Sequence, residues 1–236
     1  MASDRLFIPP RIGNSTLADI IFSRNRRAFS NIRKRRGGVV NVGRHIAIRI
    51  GGACCANGKP WAQGGSGVYF GPSSRENFSE ALSQNGPQTS QRAEINAAII
   101  ALVKVKELLD QEKLNTKLVL LISDSKYLVD AMTRHIYMWQ DNGWRNSRGG
   151  EVVNREDFEE LDGLIDELED LYWVFVKFFW VPKEDNQLAD EMARQAARFW
   201  CLLCQALPYM HKNWSEHYIL AWLSCADSVY KSHIIL

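Results

Sequence analysis

Five apolar residues in a row, Leu118 to Ile122 inside "KLVLLISDS" (117–125), constrain this chain more than any other feature. A strand with one wet face alternates apolar and polar side chains. A continuous apolar run needs cover on both faces, which helices flanking a sheet supply. Such helices are legible on either side. Residues 90–112 ("SQRAEINAAIIALVKVKELLDQE") combine helical spacing with good helix formers, and 154–171 ("NREDFEELDGLIDELEDL") read as an acidic amphipathic helix. "WVFVKFFWVP" (173–182) reads as a strand ended by Pro182, and "DNQLADEMARQAARF" (185–199) as a helix opening on Asp and Asn. Upstream, Ile46, Ile48 and Ile50 alternate with Ala47 and Arg49, the period of a half-buried strand; "SGVYFG" follows a Gly64-Gly65 turn as a second one. Ser125 is placed to cap a helix from "KYLVDAM". The order β-β-α-β-α-α-β-α predicts an α/β fold with a mixed sheet.

Charge divides the chain differently. Residues 1–44 carry ten Lys/Arg against Asp4 and Asp19, a balance of +8, so the net +2 of all 236 residues leaves −6 for the rest. The arm, with Pro9-Pro10, Arg-rich stretches and Gly37-Gly38, is expected to be poorly ordered or loosely docked. Attraction to a polyanion would come mostly from it. Its "RKRR" (33–36) reads first as a nuclear import signal and next as a phosphate-binding tether or solvated charge, and the Arg/Ser content also fits a mitochondrial presequence, although Asp4 and Asp19 count against that. Five scattered cysteines argue for a reducing, intracellular setting, with the nucleus favoured. Cys201 and Cys204 lack a second pair to complete a zinc site. No apolar run approaches the ~18 residues of a membrane span, so no membrane partner is expected. Residues 199–236 read as an apolar, aromatic-rich helical extension, a candidate surface for a protein partner.

Three carboxylates stand where this order of elements brings strand ends and helix starts together. Glu94 lies early in the long helix, Asp124 ends the apolar strand, and Asp190 lies in the helix after "WVP". Each alone is most simply a cap or a solvated charge. As a set, carboxylates so placed can hold two hard divalent ions ~4 Å apart, which activate a water and stabilise the leaving oxygen of a phosphoryl displacement.

The sequence around them resembles the eukaryotic type-1 ribonuclease H family. The blocks are "GGACCANG", "GVYFGP", "PQTSQRAEINAAI", "LLISDSKYLVDAM", "MWQDNGWRNSRGGEVVNREDFEEL" and "VPKEDNQLADEMA", which together span residues 45–198. The resemblance implies a five-stranded mixed sheet flanked by helices, two Mg²⁺ ions, and hydrolysis of the RNA strand of RNA–DNA hybrids. Glu94, Asp124 and Asp190 match three of the family's four catalytic, metal-binding carboxylates, and Gly51 stands at the fourth. No register slip supplies a replacement, because no Asp or Glu occurs between Asp19 and Glu76. His45 is six residues upstream, about 20 Å along an extended strand. Cys54 would be a soft ligand poorly matched to Mg²⁺.

Substrate contacts carry over unevenly. Cys54, Asn57, Ser90 and Gln91 match positions that touch RNA backbone and 2′-hydroxyls. Thr89 and Asn154 match two members of a DNA-phosphate pocket whose expected arginine is Pro87 here. Trp139, Trp144 and Ser147 match the channel beside the DNA strand, where a further aromatic is His135. A buried Trp is more often core than contact, and Asn154 could cap the acidic helix. "WVPKEDNQLAD" is shorter than the loop of many relatives and lacks its histidine. Three readings follow: a hybrid or double-stranded RNA binder with hydrolysis impaired at Gly51, an active nuclease tolerating that glycine, or a scaffold for a protein partner. The first is favoured.

Overall fold

The apolar run becomes the middle of a sheet. The computed structural model describes residues 5–7 and 45–210, with side chains to residue 198. Five strands, β1 (His45–Cys55), β2 (Gln63–Tyr69), β3 (Phe78–Ala81), β4 (Leu118–Ser123) and β5 (Phe175–Trp180), lie in the order β3-β2-β1-β4-β5. The β1–β2 and β2–β3 pairs are antiparallel, whereas β1–β4 and β4–β5 are parallel, each of the latter needing a helical crossover. The crossovers are α1 (Ser90–Asp110) between β3 and β4, and between β4 and β5 a broken helix followed by α4 (Arg155–Tyr172). The broken helix runs as α2 (Lys126–Asp130), a π turn at Ala131–His135, and α3 (Ile136–Asp141). The helix α5 (Gln187–Met210) closes the chain's described part and passes through the expected boundary at 198 without interruption.

The period-2 pattern of β1 sorts its residues between two cores. Ile46, Ile48 and Ile50 join Leu102, Leu121, Phe158 and Phe178 under α1, α3 and α4; Ala47 joins Leu120, Ile122 and Val181 on the opposite face. Burying each of the large side chains stabilises the fold by about 1.5–3 kcal/mol. Over β1, β2 and β3 that opposite face is covered by α5. It can lie so close because β2 is rich in glycine: a Cβ at Gly67 would sit 2.3 Å from the carbonyl oxygen of Ala189.

The fifth strand, β3, has no counterpart in the residue-level reading, which found four. With only four residues at the sheet edge and one apolar-polar-polar-apolar turn of pattern, it carries almost no periodic signal. A second difference lies at the N-terminus. Residues 5–7, within the arm expected to be loose, pair in parallel with β5 at Leu6–Phe178, through Phe178 N–H to Arg5 O (2.7 Å) and Phe7 N–H to Phe178 O (2.9 Å). The "RKRR" segment, the side chains of Cys201 and Cys204, and residues 211–236 with their suggested partner role lie outside the described residues. No described helix is long and apolar enough to cross a membrane.

Candidate active site and nucleic-acid interface

At the C-terminal end of β1 the chain crowds two helices at once. A Cβ at Gly52 would sit 2.3 Å from Glu94 N, and one at Gly51 would sit 3.0 Å from Asp190 N and from the carbonyl carbon of Ala189. The backbones that carry Glu94 and Asp190 therefore abut consecutive residues of β1. Asn186, fully buried just before α5, ties in the third: its Nδ2 donates to Ile50 O (2.8 Å) and to Asp124 Oδ1 (2.6 Å). Trp180 Nε1 donates to Asp124 O at 3.1 Å and is itself overlain by the Lys126 ammonium, 4.8 Å from the ring centroid. Gly51, Glu94, Asp124 and Asp190 thus occupy one corner of the fold.

The carboxylates there are engaged by the protein itself. Ser125 Oγ accepts from Leu128 N (3.2 Å), capping α2 as its sequence position predicts, and donates to Glu94 Oε2. Burial pushes the Glu94 carboxyl up to about 7, with the charges of Asp124 and Asp190 adding to the rise and the Ser125 bond and Lys183 opposing it. Buried Asp190 pairs with Arg194 Nη1 (2.5 Å) one turn along α5, and Lys183 Nζ lies 3.6 Å away. Sequence reading took Asn186 for a helix cap and overlooked Lys183 and Arg194; the i,i+4 spacing of Asp190 and Arg194 was the one available signal for the pair.

The ribonuclease H family uses magnesium, but these donors do not fit a pair of divalent ions. Position 51 offers no side-chain atom, Asp190 already faces two cations, and Glu94 and Asp124 each accept a hydrogen bond from a neighbouring side chain. Among the described residues no three His, Cys, Asp or Glu side chains gather as a metal site.

The residues matched to nucleic-acid contacts fall in two places. Asn57 and Thr89 line one surface groove with Lys59, Pro60, Pro87 and Gln88, at the mouth between the β1–β2 turn and the start of α1. Gln88 braces that mouth: its Oε1 accepts from Gln63 Nε2 (2.9 Å) and Gly64 N (3.0 Å), its Nε2 donates to Ser83 O (2.7 Å), and its carbonyl accepts from Cys54 Sγ (3.2 Å). Thr89 is the N-cap of α1, accepting from Arg92 N at 3.2 Å, with Ser90 and Gln91 in the first turn. Arg92 reaches Asp157 of α4 (3.1 Å), so the start of α1 is clamped to the start of α4 and hence to Asn154. Asn154 does not cap α4 through its side chain. It holds a left-handed backbone (φ 61°), and its Nδ2 is 3.5 Å from Tyr127 Oη.

The second place is an aromatic shoulder. Trp139 of α3 lies between His135 (5.6 Å between centroids), Trp144 (5.9 Å) and Phe158 of α4 (5.3 Å). Trp144 is 7% exposed, a core side chain, and its N–H donates to Trp139 O at 2.6 Å. Trp139 is half-buried and Ser147 exposed, in a loop fixed by Asn146 N–H to Gly150 O (2.8 Å).

Comparison with known proteins places the chain in a family. The family model described as RNase H matches residues 45–198. Ribonuclease H1 of Mus musculus is 35% identical over 161 residues, 66% of this chain and 52% of that protein. Ribonuclease H1 of Homo sapiens is 34% identical over 161 residues, 66% of this chain and 51% of that protein. The chain therefore spans about half the length of the curated relatives it matches. The crystal structure of LC9-RNase H1, a type 1 RNase H, superposes over 68% of this chain and 75% of its own at a TM-score of 0.49 and 22% identity. On the match across residues 45–198, this chain belongs to the ribonuclease H family.

Proposed function

We propose that this protein binds RNA–DNA hybrid or double-stranded RNA through a ribonuclease H-like face, and that two-metal hydrolysis of the RNA strand is impaired by Gly51. The observation that carries the reading is the packing at position 51. The site for a side chain there points at the α5 backbone, 3.0 Å from Asp190 N, in the corner that Glu94, Asp124 and Asp190 share. In the family resemblance this is the position of a fourth carboxylate, which with Glu94, Asp124 and Asp190 would hold the ions. Three carboxylates leave two divalent cations under-neutralised, so at most one Mg²⁺ is held, and weakly. Losing even an outer-sphere partner costs ~10–100-fold in metal affinity or activity, and losing a ligand itself costs more.

Binding has separate support. The groove with Asn57 and Thr89, where Cys54, Ser90 and Gln91 cluster, and the shoulder with Trp139, Trp144, Ser147 and Asn154 are each braced by hydrogen bonds that do not involve Gly51. Cys54, Asn57, Ser90 and Gln91 would meet the RNA backbone and its 2′-hydroxyls, the features by which an A-form minor groove is recognised, Thr89 and Asn154 a DNA phosphate, and Trp139 and Ser147, over the buried Trp144, the DNA strand.

A labelled hybrid offered to the full-length chain in Mg²⁺ or Mn²⁺ tests both halves. We expect binding that weakens steeply with salt, and cleavage at least ~100-fold slower than by the Gly51→Asp variant. Wild-type cleavage at the Gly51→Asp rate, abolished by Glu94→Ala, would overturn the impairment. Absence of hybrid and duplex RNA binding at moderate salt would overturn the rest.

A further inference from the structure

Of the ten cations in residues 1–44, Arg5 is the one that falls among the described residues, and it is turned into the body rather than toward a polyanion. The isolated bridge of Leu6 to the β5 edge carries it in, with Leu6 packed on the main core and Phe7 edge-on to Phe179 (centroids 5.6 Å apart) on the other. Its guanidinium meets Asp162 Oδ1 and, at 3.1 Å, Asp166 Oδ1, both on α4. Asp162 is 7% exposed, and its second oxygen accepts from Gln140 Nε2 at 2.6 Å. The guanidinium also lies 5.7 Å from the ring centroid of Tyr137. Gln140 and Tyr137 belong to α3 and flank Trp139.

We propose that Arg5 is a positioning residue for the aromatic shoulder, locking α3 against α4 and so fixing the Trp139–Trp144 pair. Its use in hybrid binding rests on the reading above; its hold on α3 does not. Three features make α3 dependent on such an anchor. It has six residues, too few for a helix to persist unaided. The π turn before it interrupts the α-helical hydrogen-bond ladder. Its polar tie to α4 runs through a buried carboxylate, and a buried carboxylate without its cation is strongly disfavoured. With Arg5 gone, the buried Asp162 carboxylate must turn toward water, and Gln140 loses a fixed acceptor. Trp139 then shifts with α3, and Trp144 with it, because Trp144 N–H is bonded to Trp139 O.

Hydrogen exchange on the full-length chain tests this without any substrate. In Arg5→Gln, amides of residues 136–145 should exchange ~10-fold faster or more, while those of Ile95–Leu102 in α1 change by less than ~2-fold. Arg5→Lys, which keeps the charge, should restore much of the protection. If Arg5→Gln does not fold, the double variant Arg5→Gln/Asp162→Asn, which leaves no unpaired buried charge, should fold and exchange faster than wild type at 136–145, by less than in Arg5→Gln, with α1 again unchanged. Unchanged exchange at 136–145, or an equal rise in α1, would overturn the proposal by reducing Arg5 to nothing or to general stability. Hybrid affinity is the second readout, expected to fall ~3–10-fold in Arg5→Gln. Loss of α3 protection with affinity unaltered would uphold the positioning of α3 and overturn its use in binding. Wild-type protein that bound no hybrid would count against the reading above, and the exchange arm would still decide the role of Arg5.

Discussion

The acidic corner and the aromatic shoulder sit at the same end of the sheet, yet they depend on their residues in opposite ways. At the corner, chemistry would hang on single side-chain atoms. Glu94, Asp124 and Asp190 are brought together by close backbone packing, and the absence of one carboxylate at Gly51 changes the donor set while the surrounding backbone stays closed around it. At the shoulder, position depends on many contacts. Trp139 packs on Trp144 and Phe158, Arg5 ties α3 to α4 and the Arg92–Asp157 clamp ties α4 to α1, so the surface rests on the seating of helices rather than on one ligand atom. One substitution can therefore silence the corner and leave the shoulder standing.

The sharpest contrast is between neighbours. At Gly52 a Cβ would lie 2.3 Å from Glu94 N and 2.6 Å from the carbonyl carbon of Ala93, both backbone atoms that cannot swing aside. Gly52→Ala should cost about 4 kcal/mol or more, above the ~1–3 kcal/mol of ordinary overpacking because neither clashing backbone atom can move alone. Urea unfolding measures it. A cost below ~1 kcal/mol would mean that β1 and α1 are less tightly seated than described, and the corner would then be as adaptable as the shoulder.

Trp144→Ala comes next, at about 3–5 kcal/mol for deleting a buried aromatic. Its left-handed backbone (φ 61°) and its place under the Arg155 guanidinium tie the loop to the core. Full stability with weakened hybrid binding would recast Trp144 as a contact residue. The shoulder would then resemble the corner, with function resting on one side chain.

At the corner itself, Gly51→Asp should raise hybrid cleavage by at least ~100-fold, equivalent to about 2.7 kcal/mol of barrier. The new Cβ meets the α5 backbone at 3.0–3.1 Å, so α5 must yield by a few tenths of an ångström, and a modest loss in melting temperature should accompany the gain. No gain would show that Lys183 and Arg194 hold Asp190 too firmly for an ion to displace them.

Local pattern made much of this legible. The run Leu118–Ile122, the helical spacing of residues 90–112 and Pro182 placed β4, α1 and the end of β5 within a few residues, because each encodes its burial in its own sequence. The resemblance also collected Gly51, Glu94, Asp124 and Asp190 in advance. Long-range pairings were invisible. Nothing in "RLF" announces a bridge to β5, since its partners are Phe178 and Asp162. Asn186 read only as a helix cap, although its amide joins β1 to Asp124. The π turn left no trace, being a change in hydrogen-bond register within a helical pattern.

The smallest expected effect tests where the shoulder ends. The Thr89 hydroxyl accepts from Arg92 N and still has a proton to donate, so one residue can cap α1 and meet a phosphate together. Thr89→Ala should lower stability by about 1 kcal/mol, the ordinary cost of a lost cap, and weaken hybrid affinity ~3–10-fold, the size of one lost hydrogen bond. Thr89→Ser should recover both. Denaturant unfolding and a binding titration at fixed salt separate the two effects. If stability falls and affinity holds, Thr89 is a cap alone. The phosphate-facing surface would then begin at Asn154, and the clamp between Arg92 and Asp157 would serve the fold rather than the ligand.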